Sequence, residues 1–117
     1  MDSKIDLSYL EEVTGGSNEI IQEMLELFLN ETPQQLLLLQ EKCKASDWEN
    51  IKAEAHKLKP TFSYVGLHSS YENLIAIENN ARNKEGLSEI QILIDAVEKE
   101  FNSVKNEVLD LIEKFSS

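Results

Sequence analysis

Apolar residues recur along this chain at steps of three and four, the spacing of helices that bury one face. No segment alternates apolar and polar residues with the period of two that is typical of a half-buried strand. The C-terminal stretch is the most regular, with heptad spacing through Ile90, Ile94, Val97, Phe101, Val104, Val108, Leu111 and Phe115. A free coiled coil would show the same spacing. The preceding segments have matching apolar faces and short connections, which favours an antiparallel bundle.

Turn and capping residues divide the first part of the chain into helical segments. Residues 6–13 predict a short helix that ends at a pair of glycines, and residues 17–30 predict a longer one. Thr32 can cap a helix whose first position is Pro33, so a bend or restart is expected there. The apolar content then continues over residues 36–45.

Three further helices follow in the sequence. The central one spans residues 47–66 and ends at Gly66, because glycine lacks the Cβ that disfavours the left-handed conformation after a helix. The next spans residues 69–84, and the last begins at residue 88. The short link after Gly66 predicts an antiparallel hairpin of the central helix with its successor. The predicted N-cap residues along the chain are Ser17, Thr32, Asp47, Ser69 and Ser88.

The predicted fold is therefore all-α, an antiparallel four-helix bundle with an N-terminal helical extension. The 117 residues form one domain, which is long enough to bury about two-thirds of its unfolded surface. Residues 1–16 are predicted to be a lid segment over one end of the bundle, and residues 17–117 are predicted to be the bundle itself.

The acidic composition narrows the class of partner. Lysine and arginine number 11 against 22 aspartate and glutamate residues, and the net charge of −11 should repel nucleic acid and anionic membranes. Cys43 is the single cysteine, which excludes an intrachain disulfide and a thiolate metal cluster and favours a reducing, cytoplasmic location. No uncharged apolar run reaches roughly 18 residues, so we expect no membrane insertion. The sequence is still compatible with a domain cut from the C-terminus of a membrane receptor.

The central helix carries the candidate chemistry on its polar face. Its buried stripe is predicted to contain Trp48, Ile51, Ala55, Leu58, Phe62 and Val65. His56 lies off that stripe and shares its face with Lys52, Lys59 and Ser63, so we expect an exposed imidazole among cationic side chains. A neutral imidazole nitrogen is a competent nucleophile toward an activated phosphoryl group. Lys59 could stabilise charge on that group, and Lys52 and Lys57 would add positive potential.

The stretch around His56 resembles the signature of the histidine-containing phosphotransfer (HPt) domain of bacterial two-component phosphorelays, A-H-x-L-K-G followed by V/L-G. The matching residues are Ala55, His56, Leu58, Lys59, Val65 and Gly66, whereas Pro60 stands where the family has glycine. The order of the predicted helices extends the resemblance to nearly the whole chain. It implies that His56 accepts a phosphoryl group from a receiver-domain aspartate and passes it to another receiver aspartate, with Lys59 stabilising the phosphate.

The resemblance also implies which groups the partner must supply. The sequence has no nucleotide motif, no phosphate-binding glycine loop and no acidic cluster arranged for Mg²⁺, so we expect neither a kinase nor another enzyme, and no cofactor. The implied partners are response-regulator receiver domains, which carry the Mg²⁺, and a hybrid histidine kinase. The chain itself is expected to be a monomer. The predicted partner-binding residues are Lys52, Lys57, Pro60, Ser63, Tyr64, Glu78 and Arg82.

Several of these residues have a second interpretation. Pro60 removes a backbone N–H inside the central helix, so it predicts a kink just past His56 or, alternatively, an early end of the helix. Glu78 stands where the family often has a polar residue that orients the histidine, and Arg82 could contact the phosphate. Each could also be an ordinary solvated residue. Tyr64 could belong either to the core or to the apolar rim of a docking surface.

Other functions fit parts of the sequence. A ferritin-like metal bundle needs Glu-x-x-His on facing helices, and neither His56 nor His68 has a glutamate at that spacing, so no metal site is predicted. His68 is instead expected in a loop or helix cap. A non-catalytic helical adaptor that docks a receiver or other signalling protein without being phosphorylated is the alternative function, although it would not need His56 and Lys59 together. The single motif favours a monomer over a dimerising phosphotransferase.

Overall fold

The computed structural model describes residues 5–116, which fold into five α-helices without a strand. In chain order the helices are α1 (Ser8–Thr14), α2 (Asn18–Lys44), α3 (Trp48–Tyr64), α4 (His68–Arg82) and α5 (Leu87–Ser116). A short N-terminal helix therefore precedes four long ones. The all-α prediction is confirmed, and the C-terminal stretch with heptad spacing forms the longest helix.

The four long helices surround one core. Both α2 and α4 pack against α3 and α5, whereas α1 packs on α2. Three phenylalanines from different helices meet in the core, where the ring of Phe28 contacts those of Phe62 and Phe101 edge to face at centroid distances of 5.4 and 5.1 Å. All three rings are buried, and aromatic pairs in this geometry add to the stability gained from buried area. The predicted four-helix bundle is confirmed.

The prediction of a restart near Pro33 is wrong, because α2 is one helix. Thr32 does not cap a new segment: its side chain is fully buried, and its hydroxyl has no hydrogen-bond partner in the described part of the chain. The buried stripe continues in register on both sides of Pro33, so packing of this face outweighs the hydrogen bond that proline removes. The members of the stripe are Ile21, Leu25, Phe28, Thr32, Leu36, Leu39 and Cys43.

Two helix starts follow the local capping rules. The hydroxyl of Ser17 accepts a hydrogen bond from the backbone N–H of Ile20 at 3.4 Å at the start of α2. The carboxylate of Asp47 accepts one from the backbone N–H of Asn50 at 3.3 Å at the start of α3. These two predicted N-caps are confirmed, since each satisfies a backbone donor that the first helical turn leaves without a partner.

The other two predicted caps are displaced into their helices. Ser69 and Ser88 are the second residues of α4 and α5, not their N-caps. The start of α4 is instead satisfied from another helix, because Glu100 on α5 accepts hydrogen bonds from the backbone N–H of Ser70 at 3.2 Å and from its hydroxyl at 2.5 Å. A cap supplied by a distant segment leaves no local signal in the sequence.

The N-terminal segment is attached to the turn between α3 and α4. Asp6 donates its backbone N–H to the carbonyl of Val65 at 2.9 Å. The Asp6 carboxylate accepts hydrogen bonds from the backbone and side chain of Ser8, which starts α1, and Leu10 is completely buried. This segment therefore covers the end of the bundle that contains the α3–α4 turn. Residues 1–4 of the predicted lid lie outside the described residues.

Gly66 allows this attachment. Its φ of +75° is in the left-handed region, as predicted for the residue after a helix. A Cβ at this position would also lie 2.5 Å from both the Cβ and the backbone oxygen of Asp6. The position therefore requires glycine for its backbone conformation and for the close approach of the N-terminal segment.

We expect Gly66→Ala to destabilise the chain by about 3 kcal/mol and Gly15→Ala by only about 1 kcal/mol. Gly15 has a similar φ of +67°, but a Cβ there would meet nothing within 4 Å. Gly15→Ala therefore loses stability only because alanine disfavours a positive φ, whereas Gly66→Ala must also displace Asp6. Urea unfolding of both variants measures the difference, and equal losses of stability would contradict this account of Gly66.

Candidate functional site

His56 lies in the middle of α3, with its side chain 69% exposed. Its neighbours on the inner face of the helix, Ala55 and Leu58, are completely buried. The expectation that the imidazole lies off the buried stripe therefore agrees with the structure. The helix thus holds a solvent-accessible ring on a backbone that is fixed by the core.

Glu78 on α4 is the residue that the imidazole contacts. Its Oε2 lies 2.8 Å from His56 Nδ1, and its Oε1 accepts a hydrogen bond from Lys59 Nζ at 2.6 Å. The Glu78 side chain is only 9% exposed. One carboxylate on α4 therefore joins the two residues of α3 that the sequence singled out for chemistry.

The contacts of Glu78 determine which nitrogen of His56 carries the proton. Burial alone would raise the pKa of Glu78, but hydrogen bonds from Lys59 and His56 outweigh it and hold the pKa below the ordinary value. Glu78 is therefore an anion at neutral pH, and an anionic carboxylate can only accept hydrogen bonds. The proton of a neutral His56 ring must then lie on Nδ1, which leaves the lone pair on Nε2.

The other cationic candidates make a longer contact with Glu78 or pair with different glutamates. Arg82 Nη2 is 3.9 Å from Glu78 Oε2, and Arg82 Nη1 donates to Asn79 Oδ1 at 2.7 Å. Lys52 and Lys57 are paired along their own helix, with Glu49 at 3.5 Å and Glu54 at 3.3 Å respectively. These two lysines contribute positive charge near α3, but they make no contact with the imidazole.

An open concave surface with a volume of about 230 Å³ adjoins the imidazole. Its lining includes the predicted site residues His56, Lys59, Pro60, Ser63 and Tyr64. Two further tyrosines that sequence reasoning missed, Tyr9 and Tyr71, also line it. The rings of Tyr9 and Tyr64 stack at 5.8 Å between centroids, with an angle of 9° between their planes. Tyr64 is only partly buried, so it belongs to this surface as well as to the margin of the core.

Pro60 does not end the helix, so that alternative is wrong. α3 continues for another turn to Tyr64, and the exposed position of Pro60 leaves its ring on the surface beside His56. Lys59 and His56 still reach the same carboxylate across this part of the helix. The kink that Pro60 predicts stays a prediction.

Three further features of the described residues concern metal binding, thiol reactivity and membrane insertion. Between residues 5 and 116, no three histidine, cysteine, aspartate or glutamate side chains converge as a group that could hold a metal ion. Cys43 is buried, and this burial raises the pKa of its thiol. None of the helices in the same stretch combines the length and the apolar run that a membrane span requires.

An all-α bundle with an exposed histidine on one helix, oriented by a polar residue on the next, has the architecture of a phosphotransfer domain. The family model of the Hpt domain matches residues 23–111, which is most of the chain. The chain therefore belongs to the Hpt domain family, and its general role is that of an intermediate in a phosphorelay. Membership of this family implies receiver domains as partners.

One solved structure of similar fold is that of histidine-containing phosphotransfer protein B (HptB) from Pseudomonas aeruginosa PAO1. The TM-score is 0.83, and the alignment covers 97% of this chain and 98% of that chain at 23% sequence identity. The likeness confirms the fold over nearly the full length. The comparison with curated protein sequences gave no match.

The lowered pKa of Glu78 predicts a component of stability that is lost in acid. A carboxyl whose pKa is lower in the folded than in the unfolded protein stabilises the fold above its unfolded pKa, and that stability disappears as the pH falls through the folded value. We expect the difference in unfolding free energy between the wild type and Glu78→Gln to shrink progressively below the ordinary glutamate pKa of 4.5. Urea unfolding at a series of pH values measures it, and a difference that grows in acid would contradict the assigned sign.

Proposed function

We propose that His56 accepts a phosphoryl group from the aspartyl phosphate of one receiver domain and donates it to the aspartate of another. The observation that carries this proposal is the exposed imidazole whose Nδ1 is hydrogen-bonded to Glu78. That contact leaves the lone pair of Nε2 available to phosphorus, which is what a nucleophile in phosphoryl transfer requires. Because the same ring can attack or leave, transfer runs in either direction.

The remaining chemistry is divided between this chain and its partner. Lys59 lies one turn from His56 and contributes a cation beside the transferring group, whose charge is spread over its equatorial oxygens. The receiver supplies the aspartate and the Mg²⁺ that neutralises that charge. Under this division the chain serves as a phosphotransfer intermediate, in keeping with a sequence that has no nucleotide motif.

The docking surface that we propose surrounds the imidazole and combines aromatic and cationic groups. Tyr64 and Pro60 contribute its apolar part, and the stacked ring of Tyr9 extends it onto α1. Its proposed cationic members are Lys52, Lys57 and Arg82, and Ser63 lines its concave part. Aromatic anchors in a polar rim are typical of protein interfaces. We propose that receivers bind a monomer of this chain here, with a hybrid histidine kinase upstream in the cytoplasm.

Replacement of the nucleophile tests the proposed reaction. We expect His56→Gln to abolish the transfer of radiolabelled phosphate from Mg²⁺-loaded, phosphorylated receiver domains of the same cell, because glutamine has no nucleophilic nitrogen. His68→Gln is the matched control, since His68 is the other histidine and is exposed at the start of α4. It should retain the acid-labile label. If wild-type protein binds these receivers and never becomes labelled, the chain is a non-catalytic adaptor.

The aromatic part of the surface is tested separately. We expect Tyr64→Ala to weaken receiver binding about tenfold, equivalent to the loss of one moderate interface anchor, with an unchanged rate of transfer at saturating receiver. Ile92→Ala is the control, because Ile92 is 68% exposed on α5 but lies outside the proposed surface. Titration calorimetry measures binding. An equal loss for both variants would place the docking surface elsewhere.

A further inference from the structure

The two oxygens of Glu78 have different partners, and both partners belong to the proposed phosphotransfer site. Oε1 accepts a hydrogen bond from Lys59 and Oε2 contacts Nδ1 of His56. With only 9% of its side chain exposed, this carboxylate requires a nearby cation to remain ionised. Lys59 is that cation while the imidazole is neutral.

We propose that Glu78 exchanges one cation for another during phosphoryl transfer, an inference that rests on the function proposed above. In the resting protein its cation is Lys59. When Nε2 of His56 carries the phosphoryl group, its cation is the imidazole ring, and Lys59 turns to the phosphoryl oxygens. Glu78 is then a positioning residue whose negative charge, and not only its hydrogen bond, is used in the reaction.

The transfer step balances without loss of a proton from the ring. The lone pair of Nε2 forms a bond to phosphorus while the O–P bond of the receiver's aspartyl phosphate breaks, and the electron pair of that bond stays on the receiver's carboxylate. The ring keeps its proton on Nδ1 and becomes an imidazolium that faces Glu78. In the reverse step the electron pair of the N–P bond returns to the ring and neutralises it.

Lys59 is placed to make this exchange. It lies one turn from His56 on α3 and lines the same open surface, with 21% of its side chain exposed. Its flexible four-carbon chain allows the ammonium group to move between neighbouring anions. Among residues 5–116, the other cation near the carboxylate is Arg82, which is a weaker partner because it lies at 3.9 Å and also donates to Asn79.

The exchange predicts that the effects of two substitutions in the same ion pair, at Lys59 and at Glu78, are not additive. Without Lys59, the buried carboxylate must take the ring of His56 as its cation before any phosphate arrives. A ring that is protonated on both nitrogens has no lone pair for phosphorus. Removing the charge of Glu78 as well returns the ring to its neutral form. The second substitution should therefore restore part of the phosphorylation rate that the first one lowers.

The experiment uses the full chain and the small phosphodonor phosphoramidate, which requires no receiver. We expect Glu78→Gln and Lys59→Met each to slow the phosphorylation of His56 about tenfold, which corresponds to a barrier raised by about 1.4 kcal/mol. The double variant should react faster than Lys59→Met alone. Ring ¹⁵N chemical shifts at neutral pH should show both nitrogens protonated in Lys59→Met, one in the double variant, and Nδ1 protonated in the wild-type phosphoprotein.

Glu54→Gln is the matched control and should react like the wild type. Glu54 is likewise largely buried and paired with a lysine, at 3.3 Å, but that lysine is Lys57, and Glu54 does not share its oxygens with His56. Additive losses in the double variant, a neutral ring in Lys59→Met, or equal slowing by Glu54→Gln would each overturn the exchange. Failure of receivers to transfer phosphate while the phosphoramidate results hold would instead contradict the proposed function alone.

Discussion

The ionised carboxylate of Glu78, held between α3 and α4, is the interaction on which the rest of the site depends. A charge with so little contact with water is tolerated only when a cation and hydrogen-bond donors lie against it. His56 and Lys59 are those partners, and both project from α3. The contacts of this charge therefore join α3 to α4 beside the core, and the same contacts decide which nitrogen of the imidazole faces a reaction partner.

The α3–α4 hairpin provides that register through its turn. Gly66 takes the left-handed conformation that reverses the chain, and the missing Cβ admits Asp6 close to the backbone. The hydrogen bond from Asp6 to Val65 then fixes α1 near the end of α3. A single glycine thus connects the geometry of the hairpin with the placement of the Tyr9 ring on the proposed docking surface.

The sequence predicted correctly those features that follow from the type and spacing of residues within one helix. Spacing of apolar residues predicted the bundle, and the position of His56 off the buried stripe predicted an exposed ring. Sequence reasoning failed where a distant contact overrides a local preference. Packing on both sides of Pro33 keeps α2 continuous, and Glu100 replaces the local cap expected from Ser69. The stack of Tyr9 on Tyr64 joins residues far apart in the chain, and no local pattern encodes it.

A comparison of two glutamates shows why burial alone would not have identified the site. Glu54 and Glu78 are both largely enclosed and both pair with a lysine of α3. The partner of Glu54 is Lys57, three residues along the same helix and 62% exposed, so this pair is a local contact of a helix surface. Glu78 reaches across to another helix and divides its oxygens between an ammonium group and an imidazole. The chemistry of the site depends on this sharing of the Glu78 oxygens between Lys59 and His56. Only a carboxylate that contacts a titratable ring can respond to a change in the charge of the ring.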